Sequence, residues 1–505
     1  MRRSPCVEAH SYWTLFSEMR PLLKTSAGGG QSQILALRHM FPWFSHLAPD
    51  WRGYCDVDRK AGLNPYAVPF RDAGAARSGT AMRAPTLEIP RSQDATGAAP
   101  AVRFEALDSW RGLAAIMVVL FHAQIVSNIR LFGLVRSGEA FVDFFFVLSG
   151  FVIAHAYLQR LSTPRHVATF FILRLGRLYP LHIFMLALFV LFEMGKAFLP
   201  GLGNAADPVF SGTNDPSYLI SNMVFAQALW PFDQLSWNTP SWSISAEFLA
   251  YALFALAVFL QRSRLVFWLG LAIVAAPVAL AALSADGMGA VSGLGGLRAV
   301  YGFSVGALLY ILFNRSILRQ HATTSLRPQP GFWTVAEGAA SAGAIMIAWK
   351  THATPWAYGL PFVFALVVGV FAVERGHLSR LLKLRPFALI GLLSYSIYMT
   401  HMFLQLRLLN VARLSDKVFQ TSLIQQVGHT ERYGAGIDTG NLFVGDLIIV
   451  GVVLVTVAFS YLTYRLIEKP GQRMSRRIAE RLLASREFRR GPAMKQVEPA
   501  LAKSA

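Results

Sequence analysis

Residues 243–283 read SISAEFLAYALFALAVFLQRSRLVFWLGLAIVAAPVALAAL, two apolar runs (243–261 and 265–283) parted by a basic step at Arg262 and Arg264. Each run, wound as a helix at about 1.5 Å per residue, covers the roughly 30 Å thickness of a hydrocarbon core. A helix also satisfies its own backbone hydrogen bonds, which lipid cannot do for it. The stretch therefore reads as two membrane-crossing helices joined by a tight basic turn. Outward from it, comparable blocks recur at 111–129, 140–158, 178–199, 297–313, 332–349, 356–373, 386–408 and 444–466. The expected fold class is all-α, a polytopic transmembrane bundle of about ten spans. A weaker block, 218–230, carries Ser221, Asn222 and Gln227 and is short for a crossing, so it reads as a re-entrant or interfacial piece.

Composition agrees. The chain has 505 residues, 54% of them hydrophobic and only 15% charged, with a mean hydropathy of +0.42. Its net charge of +19 sits between apolar blocks and after Lys469, a pattern of loops facing anionic lipid or solvent rather than nucleic acid. The two cysteines, Cys6 and Cys55, precede the membrane region and cannot staple it or hold a metal there. Residues 1–105 are rich in Gly, Ser, Ala, Pro and Arg and read as a largely disordered extension, with Met82 as an alternative start. Residues 106–470 form the membrane domain and 471–505 a basic cytosolic tail. With the N-terminus in the cytosol, loops and tail on that side hold far more Lys and Arg than the outer loops, so both termini are expected in the cytosol of a cell whose membrane the chain crosses many times.

Ionisable groups inside apolar spans are costly and mark function by default. In LDSWRGLAAIMVVLFH (107–122), Arg111 and His122 stand eleven positions apart, which returns to nearly the same helix face with about 16 Å of rise between them. A snorkelling Arg and an unrelated packed His give the same pattern. In FVDFFFVLSGFVIAH (141–155), Asp143 needs a partner, Arg111 or His122 being the nearest candidates, and a structural pair suits it as well as a catalytic one. FILRLGRLYPLH (171–182) places Arg174 and Arg177 on a cytosolic loop, spaced for a multivalent phosphate, although on this motif alone ordinary positive-inside charge is the better reading. In LSWNTPSWSISAEFLAY (235–251), Ser243 and Glu247 share a helix face, while Trp237 and Trp242 read as interfacial belt residues. In LIGLLSYSIYMTH (389–401), Ser394, Tyr398 and His401 fall on one face, as interhelical glue or as a cavity wall.

Taken in order, these motifs resemble the membrane-bound acyltransferase-3 family of bacteria over residues 104–470. The matching residues are Asp108, Arg111 and His122, FFFVLSGF at 144–151 with its Ser149, Arg174 and Arg177 followed by Tyr179 and Pro180, PSWSISAEF at 240–248, SYSIYMTH at 394–401 with its Tyr395, and Glu468, Lys469 and Pro470. The resemblance implies transfer of an acyl group, usually acetyl, from coenzyme A to hydroxyls of an extracytoplasmic carbohydrate or glycolipid, without a metal and without nucleic acid as partner. It implies Arg111 and His122 as a catalytic pair and Arg174, Arg177 and Tyr179 as the coenzyme A contact. The stand-alone members of the family are the better match, and residues 411–446 are a candidate acceptor-specific segment. On chemical grounds His122 is the expected general base, Asp143 or Glu247 its orienting carboxylate, and Arg111 a contact of the donor or the stabiliser of the thioester oxygen. An aqueous passage is expected to join His122 to the basic doorway. The rival class is a transporter or flippase, which usually carries paired repeats that are not visible here.

Overall fold

The computed structural model describes residues 103–198, 208–232, 234–322, 330–351, 354–426 and 435–484, with side chains from 315 to 322 left aside. The expected disorder of the N-terminal extension, the alternative start at Met82 and the tail beyond residue 484 lie outside the described residues.

The bundle consists of α1 (Glu105–His122), α2 (Phe141–Tyr157), α3 (Pro164–Phe198), α4 (Trp242–Gln261), α5 (Leu265–Leu283), α6 (Gly295–Ala322), α7 (Pro330–Thr351), α8 (Leu360–Phe371), α9 (Arg385–Phe419), α10 (Leu442–Thr463) and α11 (Lys469–Ala484). Every expected apolar block centres on one of the first ten, although the block 111–129 outruns α1, which ends at His122, and the block 356–373 begins before α8. Seven helical runs are long and apolar enough to cross a membrane, and one of them, Thr239–Leu283, holds both blocks of the opening stretch, broken at Arg262–Arg264. The other two expected spans fall short of that standard. Pro355–Phe371 is too short, and α1 carries Glu105, Asp108 and Arg111 in its first turns. The 218–230 block is no crossing. It folds as a five-residue helix, Leu219–Met223, and turns, with Ser221, Asn222 and Gln227 buried while Ile220 and Trp230 are exposed.

Small residues set how closely the helices meet. At the crossing of α1 and α9, a Cβ on Gly112 would sit 2.6 Å from the Gly391 nitrogen, and one on Gly391 would sit 2.6 Å from the Asp108 carbonyl oxygen. In lipid, where the hydrophobic effect does little between helices, such close backbone approach gives the packing its grip. The first turn of α1 is further fixed by Glu374, which accepts the Ala106 N–H at 2.9 Å. Helix α6 packs along α2, and α11 along α3, where the stripe Gly471, Ser475 and Ala479 is buried. The only strands among the described residues are a small antiparallel pair, β1 (Ile424–Gln426) and β2 (Ala435–Ile437), within the 411–446 segment.

Candidate active site

The 35 residues of α3 make a helix of about 52 Å, far longer than a hydrocarbon core. Arg174 and Arg177 therefore stand on a continuous helix, one turn apart, rather than on the loop expected for them. Both line one cavity of about 110 Å³, together with Arg111, Ser149, Ser243, Glu247, Ser394, Tyr395 and Tyr398. Residues from five helices, separated in sequence by up to almost three hundred positions, are thus brought to one cleft.

Each wall of the cleft is held by hydrogen bonds. Arg111 donates from Nε to the Ser394 hydroxyl at 2.8 Å and pairs with Asp108 at 2.9 Å, while Asp108 also takes Arg103 at 2.8 Å. The guanidinium of Arg174 donates to the Tyr157 hydroxyl at 3.1 Å and lies 5.3 Å from the centre of that ring. Arg177 has no hydrogen-bond or ion-pair partner among the described residues, so its donors remain available to a ligand. Opposite these cations, Glu247 accepts from the Ser149 hydroxyl at 2.5 Å and from the Tyr251 hydroxyl. Deeper in, Ser243 donates to the Tyr398 hydroxyl at 2.8 Å, which itself donates to the Pro240 carbonyl at 2.9 Å. Tyr395 donates to the Leu178 carbonyl at 2.5 Å. The i, i+4 pair Ser243 and Glu247 and the Ser394, Tyr398 stripe thus face a cavity.

His122 does not line this cleft. Its ring lies 5.1 Å from that of His401, centre to centre, and His401 lies 5.8 Å from the ring of Tyr398, which does line it. The expected open passage is thus replaced by a relay of packed rings, Tyr398, His401 and His122. The carboxylates expected to orient His122 are elsewhere. Glu247 serves Ser149 and Tyr251, and the group at Nδ1 of His122 is the Val118 carbonyl oxygen, 2.9 Å away.

Asp143 corrects the sequence reading most plainly. Its partner is neither Arg111 nor His122 but Arg298, bound through two hydrogen bonds of 2.8 and 2.9 Å, with side chains only 2% and 3% exposed respectively. Arg298 also lies 5.6 Å from the ring of Trp242. Trp242 is accordingly buried rather than a belt residue, and so is Trp237, whose indole donates to the Asp215 carbonyl at 3.2 Å. Tyr179 is 38% exposed and packs edge-on against Phe225, outside the cleft. Sequence reasoning missed Arg298, Tyr157 and Tyr251. The signal for Arg298 was only partial, since an Arg within the 297–313 block requires an anion, but the sequence does not say which carboxylate supplies it. Glu468, at the end of the turn Tyr464–Glu468 between α10 and α11, accepts from Ser396 at 2.7 Å and from Gln472 at 2.9 Å, tying that turn to α9.

A cleft with three guanidiniums at its wall and a ladder of hydroxyls suits a slender anionic ligand. Among the described residues, no three His, Cys, Asp or Glu side chains gather closely enough to hold a metal ion. A family model described as an acyltransferase domain matches residues 104–465. Acyltransferase MdmB of Streptomyces mycarofaciens is 31% identical over 191 residues, 35% of this chain and 46% of that protein. Protein 2 in the picA locus of Rhizobium radiobacter is 34% identical over 168 residues, 31% of this chain and 83% of that protein. The match to the first relative therefore spans about half of its length. No solved structure matches.

Proposed function

Because the chain belongs to the acyltransferase-3 family, whose domain fills residues 104–465, we propose that it moves an acyl group, acetyl in the simplest case, from cytosolic acyl-coenzyme A to a hydroxyl of an extracytoplasmic carbohydrate or glycolipid. In this reading it is a multi-pass enzyme of the bacterial inner membrane with both termini in the cytosol, as the Lys and Arg bias of the loops favours. Membership in an acyltransferase family removes the reason to hold the transporter alternative.

The observation that carries the donor assignment is the gathering of Arg111, Arg174 and Arg177 on one narrow cleft. Coenzyme A is anionic and does not cross hydrocarbon, whereas its pantetheine arm is thin and neutral. Its phosphates dock at Arg174 and Arg177, each able to form charge-assisted hydrogen bonds. The arm then runs along Ser149, Glu247 and Ser243, whose hydroxyl and carboxylate groups match its amides. Arg111, pinned by Asp108 and Ser394, is pre-oriented to stabilise negative charge as it grows on the thioester oxygen.

His122 acts as the general base. It removes the proton of the acceptor hydroxyl, the oxygen bonds to the thioester carbon, the carbon–sulfur bond breaks, and the departing thiolate takes the proton as coenzyme A thiol. Because Tyr398 stands at the inner end of the cleft, its ring has to swing aside for the thioester to reach His122. The direct test is mass spectrometry of surface glycans and secreted metabolites from cells with and without the gene, joined to an assay of coenzyme A release by purified protein. Loss of an acyl mass in the deletion strain and donor-dependent thiol release support the proposal. An unchanged glycan and metabolite profile, with no thiol release above background, refutes it.

A further inference from the structure

The two imidazoles beyond the cleft are held in the same way. Nδ1 of His122 lies 2.9 Å from the Val118 carbonyl oxygen, and Nδ1 of His401 lies 2.6 Å from that of Tyr398. A carbonyl oxygen only accepts, so in each neutral ring Nδ1 carries the proton and Nε2 keeps a lone pair. His401 is fully buried, and its Nε2 has no hydrogen-bond partner among the described residues. A buried acceptor without a donor is unfavourable. Its bond to the Tyr398 carbonyl uses only Nδ1 and offers no reason to tolerate the bare nitrogen. The reason lies in the neighbour, since the ring of His122 is centred 5.1 Å away and tilted by 53°.

We propose that His401 is a positioning residue for His122, its Nε2 lone pair stabilising the positive charge that His122 acquires on taking the acceptor's proton. This rests on His122 being the general base, as proposed above. His401 gains and loses no proton in the cycle. Its unpartnered Nε2 is the negative end of the ring dipole, and with the ring centres 5.1 Å apart it acts on an imidazolium in a low-dielectric setting, where such a preorganised interaction is worth far more than in water. It also keeps Tyr398, the ring at the inner end of the cleft, in register with the base.

Three substitutions separate this role from packing. His401→Gln puts an amide group where Nε2 stands, His401→Asn puts one where Nδ1 stands, and His401→Leu keeps bulk without polarity. Turnover is measured with acetyl-coenzyme A and counted per mole of protein that still binds coenzyme A, so misfolded material drops out of the comparison. The proposal expects His401→Gln to keep kcat within about tenfold of wild type, and His401→Asn and His401→Leu to lose about 100-fold, the order expected for general base assistance, with KM for the donor unchanged. Asparagine performing as well as glutamine, or leucine turning over at the wild-type rate, overturns it. His122→Ala assayed in parallel tells the two readings apart. An active His122→Ala sinks the general base itself, whereas an inactive His122→Ala beside a fully active His401→Leu sinks only the positioning role.

Discussion

Replacing Arg298 with methionine removes both charged hydrogen bonds that Asp143 receives, at 2.8 and 2.9 Å, and leaves a carboxylate buried with no cation beside it. Breaking a buried pair by removing one member costs about 3–5 kcal/mol, most of it the desolvation of the charge left behind. Here the same substitution also removes the guanidinium that lies 5.6 Å from the Trp242 ring, worth roughly another 0.5–2 kcal/mol. Arg298→Met alone is therefore expected to lower the thermal midpoint in detergent micelles steeply. The double variant Asp143→Leu with Arg298→Met exchanges the pair for apolar groups of similar size and is expected to recover most of that loss. Since neither side chain lines the cleft, the double variant should transfer acyl groups with wild-type kcat per folded molecule. The assay is a melting curve by intrinsic fluorescence, followed by coenzyme A release on the same preparations. An Arg298→Met protein as stable as wild type would refute the structural account of the pair. A double variant that folds but does not turn over would return Asp143 to the chemistry.

Other consequences concern the donor, the packing and a buried cap. Arg174→Ala and Arg177→Ala should each raise KM for acetyl-coenzyme A about 10- to 100-fold, the worth of one charged hydrogen bond. S-acetyl pantetheine, which has no nucleotide phosphates, should lose nothing, and an equal loss with both donors in initial-rate measurements would count against phosphate docking. Gly391→Val places a side chain where a Cβ already meets the Asp108 carbonyl at 2.6 Å. Overpacking of this kind costs about 1–3 kcal/mol, and kcat should fall with it because Arg111 and Ser394 span the same crossing, whereas a normal kcat would show that this crossing does not set the position of Arg111. Glu337, fully buried, accepts the Gly376 and Ser379 N–H groups at 2.9 and 3.0 Å and so caps the start of the short helix His377–Leu382. Glu337→Ala should therefore lower the melting midpoint while leaving donor KM intact, and a change in KM with no loss of stability would contradict its reading as a cap.

Much of this architecture could be read from the sequence because the bilayer imposes a length. Each long apolar block of the sequence centres on a helix, since a helix satisfies its own backbone hydrogen bonds within the segment. Arg174 and Arg177 were legible from their spacing, and Ser394 and Tyr398 from their shared face. What the sequence hides is who meets whom. Asp143 and Arg298 are 155 positions apart, and nothing local to Asp143 distinguishes a partner on α6 from one on α1. A Trp at the head of an apolar block looks the same whether it anchors at an interface or, like Trp242, packs beneath a guanidinium. The contact between His122 and His401 joins α1 to α9, on the two helices that meet closely at Gly112 and Gly391, and helical periodicity within either one does not reveal that pairing.

The central claim is that His122 performs the proton transfer at the end of a donor cleft it does not itself line. Its most direct test is transfer of labelled acetyl from coenzyme A by His122→Ala, with donor affinity measured on the same protein. The account predicts coenzyme A binding equal to wild type and transfer reduced to background. Turnover at the wild-type rate by that variant would contradict it.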